Sequence, residues 1–217
     1  MNKLKVFSLF LFLSHTFSKA QNTDSLMIRK IYDEVLTHSE CYQNLAYLCS
    51  NIGGRLSGSP EAAKAVEWGK KVMEGLKLDK IDLQPVTVPH WVRGEKEQAF
   101  IINNKTGVRQ ETQICALGGS IATPSSGIEA EVIEVMNFED LEKLGTDKIK
   151  GKIVFYNRPM EPTHIHTFNA YGKAVNQRWA GAMNASKYGA VATVTRLMGL
   201  KVDKFPHTGS MQYVDSL

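Results

Sequence analysis

The pair His164-x-His166 is the most suggestive chemistry in the chain, because two residues apart on a strand both imidazoles would face one side, as a metal site can use. A tetrahedral zinc site needs further ligands, and a local one would have to recruit Glu161 or a distant residue. Between Pro159 and Pro162 on one side and a helical pattern on the other, an exposed loop is the plainer reading. His90 in "VPHW" and His207 in "FPHTG" read as ring-packing or turn residues. The acid-rich "NFEDLEKLG", with Glu139, Asp140 and Glu142, reads as a solvated helical face rather than a catalytic carboxylate pair.

A second candidate is "NIGGRLSGSPEAAKAVEWGKKVMEGL", residues 51–76. As a phosphate cradle it lacks the G-x-x-x-x-G-K-[ST] form, and the G-x-G-x-x-G form would have to follow a strand. Ser57 and Ser59 lack the G-x-S-x-G turn that presents a nucleophile. Helix punctuation explains it better. Gly53 and Gly54 stop one helix, and Ser59-Pro60 starts the next, a hydroxyl that accepts an orphan amide followed by a residue with no amide to satisfy.

Three cysteines, Cys41, Cys49 and Cys115, allow at most one disulfide. Cys41 and Cys49 fall in one helical run, about 12 Å apart along its axis. That exceeds the roughly 7 Å limit for a bridge. A pair with Cys115 and three buried thiols both remain open. Asn104-Lys105-Thr106 and Asn184-Ala185-Ser186 match the glycosylation acceptor, which matters only in a eukaryotic secretory pathway.

The elements that must position these residues follow from punctuation and periodicity. The start, "MNKLKVFSLFLFLSHTFSKAQ", has lysines before an apolar run and a small-x-small ending, the layout of a signal peptide covering 1–20 with cleavage between Ala20 and Gln21. The run is too short for a membrane span. The leader holds three lysines and no acid, so the formal charge of +4 falls to +1 in the mature chain. A basic surface for nucleic acid or anionic lipid is not indicated. Hydrophobic residues make up 43% of the chain, as in a protein with a packed core.

Ile28, Ile31, Tyr32, Val35 and Leu36 recur at helical spacing, and a second run from Glu40 places Tyr42, Leu45, Ala46 and Cys49 on one face behind a Ser39 cap. After Pro60, Ala62, Val66, Gly69, Met73 and Leu76 predict the buried stripe of an amphipathic helix. Residues 81–88 alternate as a strand interrupted at Pro85, and "EQAFIIN" and "ETQICALGG" read as strands joined by the turn "NKTGVR". Composition shifts after the loop "GGSIATPSSG". Strands at "IEAEVIEV", "GKIVFYN" and "AVATVTR" then alternate with a short helix closed by Gly145 and a helix over 173–188 closed by Gly189. In that last helix Val175, Trp179, Ala182, Met183 and Ser186 form the predicted inner face. The order suits an α/β sandwich with a compact, β-rich second unit.

The segments "IGGRLSGSPEAAKAVEWGKKVMEGLKLDKIDLQPVTVPHWVRGE", "LGGSIATPSSGIEAEVIEV", "IKGKIVFYNRP", "GAMNASKYGAVATVTR" and "FPHTG", in that order, resemble the N-terminal portion of the carboxypeptidase Q family, within the aminopeptidase Y group of zinc peptidases. The resemblance implies a zinc-aminopeptidase-like mixed sheet with flanking helices, incomplete here, carrying an inserted β-rich protease-associated-like domain. It implies an N-terminal part of the peptidase domain at 21–122 and a truncated insertion at 123–217. It further implies an exported enzyme, secreted or periplasmic, with two zinc ions and a metal-activated water, acting on dipeptides or short peptides. The complete enzyme leaves room for a homodimer.

The family's ligands come from an H-x-D, two lone aspartates, an E-E pair and a distal histidine. This sequence has neither an H-x-D nor an E-E dipeptide. No catalytic or metal-binding residue is therefore assigned, and the ending "MQYVDSL" reads as an interruption inside the insertion. The alternative expectation is a non-catalytic, secreted protein-binding module built on a protease-associated-like domain.

Overall fold

The computed structural model describes residues 23–201 and 204–214. The expected leader, with Ala20 and Gln21, lies outside the described residues. Two compact units divide the chain between His90 and Trp91. No helix among the described residues is long and apolar enough to cross a membrane.

The first unit is helical. Helix α1 occupies residues 23–38 and α2 spans Cys41–Tyr47, running into a π-turn, Leu48–Ile52. The Ser39 hydroxyl accepts from the Cys41 amide at 3.3 Å. Gly53, at φ +77°, ends this element by bonding its amide back to the Leu48 carbonyl. Helix α3, Pro60–Gly75, starts as the Ser-Pro pair predicts, the Ser59 hydroxyl accepting from the Ala62 amide at 3.1 Å. Tyr47 and Trp68 stack at 5.4 Å and tie the π-turn end to α3.

Burial corrects the predicted stripe of α3. Ala62, Ala65, Trp68, Gly69 and Val72 are half-buried, whereas Val66, Met73 and Leu76 are exposed. No residue of α2, the π-turn or α3 is fully buried. The predicted strand over 81–88 is also absent, because a strand needs a ladder partner and none pairs with it among the described residues.

The second unit opens with an antiparallel hairpin, β1 (Ala99–Ile102) and β2 (Arg109–Thr112), in register Ala99↔Thr112. Its turn is nucleated by Asn103, whose side-chain oxygen accepts from the amides of Lys105 and Thr106. A three-stranded parallel sheet follows, β3 (Val132–Val135), β4 (Ile153–Tyr156) and β5 (Ala192–Thr195), in the order β3-β4-β5. Helix α4 (Phe138–Ile149) connects β3 to β4, and α5 (Thr167–Ala174), α6 (Asn176–Trp179) and α7 (Gly181–Ser186) connect β4 to β5. Parallel strands need such crossovers. Residues 123–214 are accordingly α/β rather than the β-rich unit expected.

Helix α4 begins in a reciprocal cap, the Asn137 side chain accepting from the Asp140 amide and the Asp140 carboxylate from the Met136 amide, both at 2.9 Å. Gly145 does not close it. At φ +63°, ψ −177° it kinks the element, and a further turn carries Ile149 into the core. Val135, Leu141, Ile149, Val154, Tyr156 and Ala185 form that core, with Ile133, Phe138 and Tyr188 packed around it.

Tyr156 explains a second departure from expectation. Its ring is fully buried, meets Phe138 edge-on at 5.9 Å, and its hydroxyl donates to the Gly181 carbonyl at 2.7 Å. Burial pushes the phenol pKa well above its ordinary value. Rather than one helix over 173–188, the chain breaks into α5, α6 and α7 around this ring, and Ala174, Gln177, Ala180, Gly181 and Ala185 are the residues turned inward. Trp179, predicted inside, is 41% exposed. The Gly189 stop is as expected, at φ +78°.

Gly181 is required sterically, since a Cβ there would stand 2.8 Å from the Tyr156 ring. Gly181→Ala is expected to cost about 1–3 kcal/mol by overpacking. Tyr156→Phe should cost about 1 kcal/mol through loss of the hydroxyl's bond to the Gly181 carbonyl. Urea unfolding of both variants against the parent chain measures each, and wild-type midpoints would contradict the packing described.

Candidate functional site

The residues singled out by type and spacing do not converge. His164 is half-buried with its Nε2 3.0 Å from the Lys173 ammonium, while His166 is exposed at the start of α5. Glu161, the carboxylate nearest in sequence, accepts instead from the amide and hydroxyl of Thr163. Glu139 and Glu142 are exposed, and Asp140 is committed to its cap. His207 is exposed, and His90 packs beside Gly58, where an added Cβ would stand 3.1 Å from the His90 Cβ. The three thiols are free, Cys41 and Cys49 exposed and Cys115 half-buried. Among the described residues, no group of three or more His, Cys, Asp or Glu side chains could hold a metal ion. The described residues do not fit a zinc centre.

Loop 51–60 has a structural role that spacing did not reveal. The Arg55 guanidinium donates to the carbonyls of Gly53 at 2.6 Å and Leu48 at 3.2 Å. A cation thus adds a partner to the Leu48 carbonyl, already bonded to the Gly53 amide, and satisfies that of Gly53.

What the second unit does assemble is a laced groove. Arg93 starts the lacing, its Nη1 donating to the Glu97 carboxylate at 2.9 Å, the Ala116 carbonyl at 2.8 Å and the Cys115 sulfur at 3.2 Å. Its Nη2 reaches the Thr208 hydroxyl at 3.1 Å, and the guanidinium lies 5.0 Å from the Trp91 ring centre. From Thr208 the chain runs alongside residues 116–120. The Gly118 amide donates to the Gly209 carbonyl at 2.7 Å and the Met211 amide to the Gly118 carbonyl at 2.9 Å. One residue on, the Gln212 amide donates to the Trp179 carbonyl at the end of α6, at 2.9 Å.

Between α5–α6 and this strap lies a cavity of about 510 Å³, lined by Tyr171, Val175, Arg178, Trp179, Ser210 and Gln212 among others. The strap residues come from positions about thirty residues beyond Trp179, so no local pattern announces the groove. The Trp179 and Arg178 side chains were its only sequence-level signal, and the predicted helical face assigned Trp179 to the interior.

Glu97 is the carboxylate on which the lacing turns. Its own backbone amide is the main influence holding its pKa below the ordinary value of 4.5, burial opposes this, and the Ala116 amide and Arg93 add to the lowering. A depressed carboxylate stabilises the fold fully above its ordinary pKa and ceases to do so as pH falls through the lowered value. Glu97→Gln is therefore expected to cost about 1–2 kcal/mol at pH 7, and the penalty should shrink at pH 3. Urea melts at the two pH values measure this, and an equal penalty at both would contradict the assignment.

No family model matches the chain. It is 38% identical over 172 residues to carboxypeptidase Q of Bos taurus, an alignment covering 79% of this chain and 34% of that protein. It is 40% identical over 172 residues to carboxypeptidase Q of Xenopus laevis and 36% identical over 176 residues to that of Homo sapiens. The chain spans about a third of the length of these curated relatives. Among solved structures, a peptidase M28 precursor from Shewanella amazonensis superposes with a TM-score of 0.77 at 29% identity, covering 90% of this chain and 43% of that one.

Proposed function

Because the chain is a homologue of carboxypeptidase Q over about four fifths of its length, we propose that it is part of a zinc-dependent exopeptidase that hydrolyses dipeptides or short peptides. The observation that carries this reading is the agreement of sequence and fold, relatives named carboxypeptidase and a structural neighbour named peptidase. In this reading the zinc ligands belong to polypeptide outside the described residues, and this chain alone is inactive. Residues 1–20 are an export leader cleaved between Ala20 and Gln21, and the enzyme is secreted or periplasmic. Residues 21–122 belong to the peptidase domain and 123–217 to an inserted protease-associated-like domain.

Exposure in the first unit supports a larger protein. Ile28, Ile31, Val35 and Leu36 of α1, Val66 and Met73 of α3 and Leu76 at its C-cap are all exposed although they recur at helical spacing. Such stripes normally face a core. Further polypeptide covers them in the complete enzyme.

The test is to express the uninterrupted reading frame and assay release of free amino acids from dipeptides, before and after stripping metal with a chelator. Hydrolysis should fall at least a hundredfold on chelation and return with added zinc. Hydrolysis that survives full metal removal, or none by the metal-loaded protein, would overturn the proposal. The latter result would favour a non-catalytic binding module.

A further inference from the structure

We propose that the groove between α5–α6 and the 208–212 strap receives the free α-carboxylate of a short peptide, with Arg178 as its cationic anchor. This deepens the exopeptidase reading and rests on it for the identity of the ligand.

The first observation is an arginine without a partner. Arg178 is half-buried and its amide donates to the Val175 carbonyl, yet among the described residues its guanidinium has neither a hydrogen bond nor an ion pair. The other half-buried arginines of the unit are engaged. Arg93 holds the lacing, Arg158 donates to Asn176, and Arg196 donates to the Leu197 carbonyl and the Asn157 side chain. A guanidinium presents five donors in a planar fork that matches a carboxylate bidentately. Held partly out of water, it gains more from such a partner than a fully solvated one does.

The second observation is how the side chain is placed. Gly209 lies directly against its stem, and a Cβ at that position would stand 2.6 Å from the Arg178 Cδ. A side chain at 209 would have to displace the arginine, and glycine lets the strap lie directly against it as placed. The strap is itself fixed by backbone bonds to Gly118 and Trp179 and by the Arg93–Thr208 contact, so the anchor faces a preformed wall.

The third observation is the lining. Tyr171, Val175 and Trp179 form an apolar and aromatic wall suited to a side chain, and Ser210 and Gln212 add neutral polar groups opposite. Among the described residues, none of those lining the groove is acidic. A space of about 510 Å³ fits one or two residues of a peptide. An enzyme that acts on short free peptides must recognise a charged terminus, and a carboxylate is the terminus this cation selects.

Trp179 supplies the readout. The purified 217-residue chain is titrated with the dipeptide Ala-Leu, its N-acetyl form and its C-terminal amide while tryptophan fluorescence is followed. Ala-Leu and the N-acetyl form should give saturable changes, and the amide should bind at least about tenfold more weakly, the scale of one lost charge-assisted pair. Arg178→Gln should lose the same factor with an unchanged thermal midpoint, and Arg178→Lys should recover part of it. Trp179→Phe should remove the signal while calorimetry still detects binding.

Equal binding of the amide and the free acid would overturn the inference, as would Arg178→Gln binding like the parent. Displacement of Ala-Leu by inorganic phosphate at equal concentration would reduce the site to a general anion contact and overturn it too. Should Arg178→Gln fail to fold, the comparison of acid and amide on the unaltered chain decides. If the complete protein hydrolyses nothing while this chain discriminates acid from amide, the groove stands and the exopeptidase reading falls. If the complete protein hydrolyses dipeptides and the chain does not discriminate, the groove inference falls alone.

Discussion

A single ring sets the geometry of the second unit. Tyr156, at the end of the central strand, is buried against Phe138 of the first crossover and against the Gly181 backbone of the second. A phenol needs a partner once it leaves water, and the Gly181 carbonyl, with a second lone pair beyond the one its helix uses, accepts from it. The second crossover cannot then run as one straight helix over the sheet. It breaks on either side of α6, which turns Gln177 inward and leaves Arg178 and Trp179 along the rim. The groove is thus a consequence of core packing rather than of any motif.

The strap is the second half of that consequence. Thr208–Gln212 forms only an isolated bridge and no strand, so it relies on individual bonds to residues 116–120 and to α6. Arg93 and Glu97 gather the first of these contacts. Compactness therefore extends back to Trp91, well before the composition change at 123. A boundary read from composition and one read from contacts differ here because segments distant in sequence share hydrogen bonds.

Legibility in the sequence followed the range of the physics. Local rules were readable: Ser59-Pro60 capping, the Gly53 and Gly189 stops, the presence of a turn between two hairpin strands, and the strands that became β3, β4 and β5. Where tertiary packing decided, periodicity misled. The α3 stripe at Val66, Met73 and Leu76 meets no partner, Gly145 kinks rather than ends α4, and residues 81–88 find no ladder. The resemblance of ordered segments located the family, yet the groove pairs residues some thirty positions apart through contacts that no spacing rule encodes. That the Arg178 guanidinium has no partner among the described residues is visible only in the folded chain.

The account's central claim is an asymmetry. Every fully buried side chain among the described residues lies between Val135 and Met198, in the unit built around Tyr156, whereas the helices of residues 23–90 expose their apolar faces. Hydrogen exchange of the purified 217-residue chain, read by mass spectrometry, tests it most directly. Amides of β4, β5 and α7 should be the slowest in the molecule, with those of residues 23–38 and 60–75 exchanging orders of magnitude faster. Protection in those two helices equal to that of the central strand would contradict the account.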